Sequence, residues 1–336
     1  MREYELEVLE QYDVEAESTR RIRGAFFCET KEGTMLLKET RISAQRASFL
    51  YKMLCSLEAA GYQSVDTPVF TKENTLISTS RDGTHYMLKK WFPGRECDVR
   101  RQSDIIAAVR NLAQLHQKAA GIRQWECGDD IRIPLGRHLK EEFLCHNREL
   151  KKIRSFIRNK VNKGKFEYLF LEYFDKIYRV ALKAADRLDS SDYEALYRES
   201  VKNRTFIHGD YNYHNVLMLS DGSMATTNFD HARVDVKVQD FYYFLRKVME
   251  KHHWDEELGK AMVDNYTEIC GMTEPEREYI ALKLVYPEKF WKTANAYYHS
   301  NKAWIPEKNV EKLCTAAVQT EEKIRFAENI FAFHLY

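Results

Sequence analysis

The chain has 336 residues, enough for two lobes that each bury a core of their own. With 44% hydrophobic and 31% charged residues, it has the composition of an ordinary globular protein, which excludes a disordered chain and a membrane-spanning bundle. The formal net charge is +1, so global charge gives no reason to expect nucleic acid or an acidic surface as a partner.

The amino terminus and the cysteines predict a reducing compartment. The first residues are polar and acidic, without the apolar run of a signal peptide, and no apolar stretch of 18 residues occurs. The seven cysteines are scattered, with no CxxC pair, which favours free thiols over a disulfide framework and disfavours a zinc site. We therefore expect a protein that is made in a cytoplasm and has no membrane partner.

The first sixty residues predict a short helix, a hairpin and a longer helix. Residues 4–17 have the spacing of a short amphipathic helix, with apolar residues among acidic neighbours. Residues 22–39 contain two apolar runs around a Glu-Gly turn, which is the pattern of a β-hairpin. A helix is predicted from Ser43 to Ala60, and Gly61 ends it.

A second hairpin is predicted over residues 69–88, with its turn at Arg81-Asp82-Gly83. The Pro93-Gly94 pair that follows is typical of a linker. We therefore predict an N-lobe over residues 1–92, with a five-stranded sheet and one helix, and a C-lobe over residues 93–336.

Lys38 ends the second strand of the first hairpin. In kinase folds the third strand carries a lysine that reaches the phosphates of ATP, and a Glu on the next helix pairs with it. The only carboxylate on the predicted helix is Glu58, in its last turn, which is late for that pairing. Gly24, in the first hairpin, and Trp91, at the start of the linker, are the other candidate nucleotide contacts. A strand-end lysine in solvent is the alternative interpretation of Lys38.

From Ile105 onward the sequence is helical almost throughout. His116 closes the first of these helices, and we expect it to be a hydrogen-bonded residue packed near the catalytic segment. Residues 139–200 predict two or three charged helices. Within them, residues 151–165 carry seven basic and no acidic residues around an apolar stripe, which predicts a basic amphipathic helix.

Two interpretations of this basic stretch stay open. It is either a solvated face of a packed helix or a face that binds an anion or a partner. Nucleic-acid recognition is not expected, because no aromatic stacking platform or known module accompanies the stretch.

The strongest motif lies between two apolar runs and reads His208-Gly209-Asp210, with Asn215 five residues after the aspartate. Asp210 is the candidate base for the proton of an attacking hydroxyl, and Asn215 is a candidate magnesium ligand through its amide oxygen. His208 is expected to brace the backbone of the loop. A metal triad of His208, His214 and Asp210 is a weaker alternative, since no further Cys or Glu stands at ligand spacing.

The second metal anchor is altered. Kinases carry there an aspartate that joins magnesium to the phosphates. By spacing, Asn228 occupies this position, and Asp230 lies two residues further on. In a strand the two side chains would lie on the same side, so both are candidate metal ligands. Losing one preorganised charge-stabilising group costs roughly 10²–10³ in kcat, so a slow or inactive enzyme is expected. Asp240 begins the next helix, where it caps that helix and braces the catalytic loop.

These residues together resemble the aminoglycoside phosphotransferase and choline kinase superfamily. The resemblance rests on Lys38, Tyr86-Met87-Leu88, Gly94-Arg95-Glu96, His208-Gly209-Asp210, Asn215, Asn228-Phe229-Asp230 and Asp240. Within the superfamily, the chain is most similar to the CotS-type spore coat proteins of endospore-forming Firmicutes, through segments at 244–252, 286–292 and 295–306. The resemblance implies an α+β, bilobal protein-kinase-like fold, with an antiparallel sheet plus one helix in a small N-lobe and a larger, mostly helical C-lobe.

The resemblance also implies ATP and magnesium as cofactors. It implies synthesis in the mother-cell cytoplasm during sporulation, followed by association with other spore coat proteins in the spore coat.

Two functions stay open at this point. One is a spore-coat-associated kinase-fold protein with weak or absent phosphoryl transfer, which Asn228 and the lack of an earlier glutamate on the N-lobe helix favour. The other is an active ATP-dependent transferase that phosphorylates a hydroxyl of a small-molecule acceptor such as a sugar, an amino alcohol or a coat saccharide. The intact loop from His208 to Asn215 favours this second function.

Overall fold

The computed structural model describes residues 7–22, 25–122, 133–300 and 307–336. The strands within these ranges are β1 (Ala16–Ile22), β2 (Ala25–Thr30), β3 (Gly33–Glu39), β4 (Ser78–Thr79), β5 (His85–Lys90), β6 (Gly94–Glu96), β7 (Phe206–Ile207), β8 (Val216–Leu219), β9 (Met224–Thr226) and β10 (Arg233–Val234). The helices are α1 (Ala44–Ala59), α2 (Gln102–Ala120), α3 (Leu139–Asn159), α4 (Lys165–Asp189), α5 (Tyr193–Lys202), α6 (Gln239–Met249), α7 (Glu256–Cys270), α8 (Glu274–Val285), α9 (Glu288–Tyr298) and α10 (Glu307–Phe331).

The N-terminal sheet has five antiparallel strands in the order β1-β2-β3-β5-β4. Thr30 pairs with Gly33 at the end of the first hairpin, and Gly33 has a φ of +117°, which a residue without a Cβ adopts at little cost. The second hairpin joins β4 to β5 around the predicted Arg81-Asp82-Gly83 turn, although β4 is reduced to two residues. The prediction of a five-stranded sheet with one helix is confirmed.

Helix α1 begins and ends where the sequence predicts. Ser43 caps its amino terminus, since its side chain accepts a hydrogen bond from the backbone N–H of Arg46. Gly61, with a φ of +87°, follows the last turn. The buried face of the helix contains Ala47, which packs with Leu76 and with Met87 of β5. The helix therefore lies against the sheet face that carries Met87.

The prediction of a helix over residues 4–17 is wrong. Within the described residues the helix covers only residues 7–9, and β1 begins at Ala16. Val8 and Tyr12 are buried against the sheet face that carries Phe26 and Leu88. Because these apolar residues bury themselves on the sheet and the following residues pair with β2, tertiary packing overrides the local helical pattern.

The prediction of one basic helix over residues 151–165 is also wrong. Helix α3 ends at Asn159, Gly164 caps the next helix, and α4 begins at Lys165. Gly164 and the polar residues before it favour a helix boundary. The three helices α3, α4 and α5 confirm the broader prediction of two or three charged helices over residues 139–200.

The chain forms two compact units. One contains residues 1–135, 204–244 and 264–271, and the other contains residues 136–203, 245–263 and 272–336. The lobe boundary between residues 92 and 93 stays a prediction. Among the described helices, none combines the length and the apolar character needed to cross a membrane.

Candidate active site

The loop between β7 and β8 carries the predicted catalytic residues. Gly209 has a φ of +80°, and a Cβ at this position would lie 2.1 Å from the backbone oxygen of His231. Any larger residue would therefore push the loop away from the turn at residue 231. This close approach explains why a glycine separates His208 from Asp210.

Asp240, near the start of α6, holds the backbone of this loop. Its carboxylate accepts hydrogen bonds from the backbone N–H groups of His208, at 2.6 Å, and Gly209, at 2.8 Å. Burial alone raises the pKa of Asp240, but the hydrogen bond from His116 and the further donors lower it below its ordinary value. His116 lies 3.4 Å from Asp240 through Nε2 and 2.7 Å from the hydroxyl of Tyr266 through Nδ1. Its predicted place near the catalytic segment is confirmed.

His208 is fully buried and links the loop to β9. Its Nε2 donates to the backbone oxygen of Thr227 at 2.9 Å, and its Nδ1 accepts from the backbone N–H of Asp210 at 3.2 Å. Both ring nitrogens are therefore used by the backbone, as expected of a residue that braces the loop.

We expect Asp240→Asn to lower the free energy of unfolding by about 1–3 kcal/mol, because one of the two backbone N–H groups loses its acceptor. Because the pKa of Asp240 is lowered in the folded chain, its carboxylate contributes fully to folding stability above pH 3.8, its ordinary pKa. This contribution is lost as the pH falls through the lower pKa of the folded state. The stability difference between wild type and variant, measured by urea unfolding, should be constant above pH 3.8 and shrink below it. Asp175→Asn, at a side chain that is 71% exposed, is the control.

Asp210 is held by two asparagine side chains. The Nδ2 of Asn212 lies 3.1 Å from Oδ1 of Asp210, and the Nδ2 of Asn215 lies 3.2 Å from Oδ2. Both asparagines also donate to the backbone oxygen of Asp210, at 3.0 and 2.9 Å. The half-buried carboxylate is thus fixed at the mouth of the loop, as a base for a hydroxyl must be.

Asn228 lies directly beside Asn215. Its Nδ2 donates to Oδ1 of Asn215 at 2.8 Å, so Asp210, Asn215 and Asn228 form one hydrogen-bonded chain. Asn228 has a left-handed backbone, with φ 62° and ψ 51°, and a 3-10 turn at residues 229–231 follows it. The expectation that Asn228 and Asp230 share one face of a strand is therefore wrong. The left-handed residue begins a turn, which directs the Asp230 side chain to Lys89 and not to Asn215.

Asp230 forms an ion pair with Lys89, which the sequence reading did not single out. The Nζ of Lys89 lies 2.7 Å from Oδ1 of Asp230 and 3.3 Å from Oδ2 of Asp66. The Lys89 side chain is 7% exposed and that of Asp66 is fully buried. Burial alone lowers the pKa of Lys89, but the two carboxylates raise it above its ordinary value. The three residues form a cluster, here named the Lys89 cluster, in which Lys89 and Asp66 are buried and Asp230 is partly exposed.

The Lys89 cluster and α1 contact the backbone of the turn at residues 228–232. Oδ2 of Asp66 accepts from the backbone N–H of Asn228 at 2.9 Å. Arg46 of α1 donates to the backbone oxygens of Asp230, at 2.8 Å, and Ala232. These contacts fix the turn from two sides. One signal could have identified Lys89, since it follows Met87 at the two-residue spacing of a buried strand face.

Lys38 lies exposed near the end of β3 and has no ion-pair partner among the described residues. Glu58, the late carboxylate on α1, pairs instead with Lys90, at 2.8 Å. The charge of Lys38 contributes to a lowered pKa of Asp230, after the larger effects of burial, which raises it, and of Lys89, which lowers it. The predicted contact of Lys38 with a nucleotide stays a prediction.

The sheet face that carries Lys38 also carries large side chains. Phe27, Leu36 and Lys89 are directly paired across β2, β3 and β5, so their side chains share one face. The Phe27 ring lies 5.7 Å from that of Trp91 in an edge-to-face arrangement. Trp91 is thus packed at the end of β5, while Gly24, the third predicted nucleotide contact, lies outside the described residues.

The donor set does not fit the magnesium site of a kinase. Magnesium prefers carboxylate oxygens in a near-octahedral arrangement. Here Oδ1 of Asn215 accepts a hydrogen bond from Asn228, and Oδ1 of Asp230 is bound by Lys89. Among the described residues, no group of three or more His, Cys, Asp and Glu side chains is arranged to hold a metal ion.

Comparison with known proteins assigns the chain to a family. A family model described as "Spore coat putative kinase YutH" matches residues 5–330. The chain belongs to this family. It is similar to spore coat protein S of Bacillus subtilis (strain 168), with 23% identity over 286 residues that cover 83% of this chain and 79% of that protein.

Solved structures share the fold. The chain is similar to an aminoglycoside phosphotransferase from Alicyclobacillus acidocaldarius subsp. acidocaldarius DSM 446, with a TM-score of 0.82 at 19% identity over 97% of this chain and 94% of that chain. It is also similar to amicoumacin kinase hAmiN in complex with AMP-PNP, Ca²⁺ and Ami, with a TM-score of 0.59 at 12% identity over 96% and 94% of the two chains. The predicted resemblance and the α+β kinase-like fold are confirmed.

Proposed function

We propose that this chain is a spore-coat-associated kinase-fold protein with weak or absent phosphoryl transfer. The observation that carries the proposal is the 2.8 Å hydrogen bond from Nδ2 of Asn228 to Oδ1 of Asn215. A phosphotransferase needs an anionic oxygen at this second anchor, to hold the metal against the phosphates. Two neutral amides that bind each other supply no such charge.

The ion pairs around the turn support the proposal. Asp230, the carboxylate nearest to Asn228 in sequence, is partly exposed and is engaged by Lys89. Moving it towards Asn215 would break its 2.7 Å ion pair with Lys89. A substitution of Asp230 for the missing anchor is therefore unfavourable.

Membership of a spore coat family supports the coat part of the proposal. We propose synthesis in the mother-cell cytoplasm and assembly with other spore coat proteins. A fluorescent fusion in sporulating cells tests this, and Asp210→Ala separates assembly from catalysis. Coat localisation that survives Asp210→Ala is the expected result, whereas a fusion that never reaches the coat contradicts the proposal.

An active ATP-dependent small-molecule kinase is the second candidate. It is favoured by the intact base, since both oxygens of Asp210 are positioned by Asn212 and Asn215 and the loop backbone is held by Asp240. Its acceptor would carry a free hydroxyl, as in a sugar, an amino alcohol or a coat saccharide.

Calorimetric titration with ATP and magnesium, joined to a turnover assay, decides between the two. We expect weak nucleotide binding and a turnover about 10²–10³ below the usual kinase range of roughly 1–100 s⁻¹. Asp210→Ala is the test variant, and Asp186→Ala, at an exposed carboxylate of α4, is the matched control. Turnover within the usual range that Asp210→Ala abolishes and Asp186→Ala leaves intact would overturn the proposal.

A further inference from the structure

Helix α3 carries an exposed stripe that the candidate active site does not use. Leu144, Arg148, Lys152 and Phe156 follow one another at four-residue spacing, so they lie along one side of the helix. All four are exposed, and the two apolar members are each 48% exposed. These four residues are here named the α3 stripe.

An aromatic cavity lies at the end of the α3 stripe. The ring of Phe156 meets the ring of Tyr298, at the end of α9, edge-to-face at 5.3 Å. Tyr298 is itself 39% exposed. With Lys152, Ser155 and Asn159, the two rings line a shallow, open surface cavity of about 450 Å³. Large apolar side chains exposed beside such a cavity are typical of an interaction site.

The basic residues on and around the α3 stripe differ in whether they form ion pairs within the described residues. Most other basic residues of this region are used within the fold. Arg154 pairs with Asp175, Lys160 with Glu167 and Lys165 with Glu307, and Lys151 lies over the ring of Tyr178. Arg148 and Lys152 have no ion-pair partner in the described ranges of the chain. The stripe therefore presents unpaired positive charge next to exposed aromatic surface.

We propose that the α3 stripe and its cavity bind an acidic segment of a partner protein that carries an aromatic side chain. The two cations attract carboxylates, and the aromatic side chain packs on the exposed surface of Phe156 and Tyr298 in the open cavity beside them. Arginine and aromatic residues are enriched in protein interfaces, where an anchor in a pocket supplies most of the affinity. The Phe156 and Tyr298 rings cross at 87°, so they do not offer the parallel platform on which nucleic-acid bases stack.

The test uses a fluorescently labelled random copolymer of glutamate and tyrosine as the probe. Its affinity for the full chain is measured by fluorescence anisotropy at low and physiological salt. The test variants are the pair Arg148→Glu/Lys152→Glu and the pair Phe156→Ala/Tyr298→Ala. Lys202→Glu, at an exposed lysine of α5, is the charge-reversal control and changes the net charge by half as much as the first pair. All substituted side chains are exposed, so unchanged melting curves are expected to accompany the binding data.

We expect the copolymer to bind the wild type and the Lys202→Glu control equally. Each double variant should bind the copolymer at least about tenfold more weakly. The Arg148→Glu/Lys152→Glu variant should also lose most of the salt dependence of binding. Failure of the copolymer to bind the wild type, or equal binding to all variants, would overturn the proposal. Polyglutamate, polyphosphate, single-stranded DNA or phosphatidylglycerol vesicles that bind as tightly, with the same loss in the variants, would overturn it too, in favour of a general anion surface.

Discussion

Lys89→Met lowers the free energy of unfolding by about 3–5 kcal/mol, because it leaves the buried carboxylate of Asp66 without its counter-charge. The neighbouring residue of β5 provides a matched control. Lys90 also pairs with a glutamate, Glu58, at 2.8 Å, but its side chain is 51% exposed. Exposed pairs contribute only about 0–1 kcal/mol, so Lys90→Met should be close to neutral. Urea unfolding followed by circular dichroism measures both variants.

The pH dependence of Lys89→Met gives an independent check. Burial raises the pKa of Asp66, so the carboxyl takes up a proton more readily in the folded chain than in the unfolded one. Without Lys89, the Asp66 carboxyl destabilises the fold least below pH 3.8, its ordinary pKa, where it is protonated in both states. Stability is lost as the pH rises through the raised pKa of Asp66 in the folded chain. The difference between wild type and variant should therefore grow from acidic towards neutral pH.

Removing all three charges of the Lys89 cluster should restore much of the loss. In Lys89→Met/Asp66→Asn/Asp230→Asn no buried carboxylate is left alone, and neutral replacement of a buried ion cluster is often well tolerated. Equal effects of Lys89→Met and Lys90→Met, or a triple variant as unstable as the single one, would contradict the assignment of the cluster.

Asn228→Asp makes stability depend on magnesium. The substitution replaces the donor that binds Oδ1 of Asn215 with a carboxylate oxygen, so two acceptors face each other at about the present 2.8 Å. In metal-free buffer we expect a loss of about 1–3 kcal/mol, because the acceptor is left without a donor. The left-handed backbone at this position is tolerated by aspartate, so the substitution itself adds little strain.

A divalent cation between the two oxygens should reverse the loss. At a magnesium concentration a hundredfold above its dissociation constant, the expected gain is about 2.7 kcal/mol. Thermal melts with EDTA and with magnesium measure the difference. Wild type and Asn162→Asp, at an exposed asparagine, should respond little. An identical response to magnesium in all three proteins would show that Asn228 does not occupy the second anchor position.

Local patterns in the sequence predicted the parts of the site that depend on short segments. The loop from His208 to Asn215 could be assigned its geometry because a tight turn between two apolar runs leaves few arrangements of its side chains. Helix α1 was predicted at both ends because Ser43 and Gly61 are strong local signals. Asp240 was predicted as a helix cap and as a brace of the loop, and its carboxylate accepts from the backbone N–H groups of His208 and Gly209, as a brace of the loop does.

The long-range ion pairs could not be predicted in the same way. Lys89 and Asp230 are 141 positions apart, and nothing in either local sequence names the other. The placement of Asp230 failed because a single left-handed residue, Asn228, replaced the expected strand with a turn. The prediction of a helix over residues 4–17 was wrong because the apolar residues of this segment are stabilised by burial against the sheet. That long-range contact is not visible in a local sequence pattern.

The discontinuity of the first unit has a consequence for the order of folding during synthesis. Its five-stranded sheet is complete in the chain by residue 90, but the segments 204–244 and 264–271, which finish the unit, are made much later. At the usual rate of about 5–20 residues per second, the ribosome needs roughly 6 s at the fastest to reach these segments from the end of the sheet and roughly 36 s at the slowest to complete them. Through that interval Asp66 and Lys89 exist without Asp230, so the Lys89 cluster lacks its third charge until residue 230 is made.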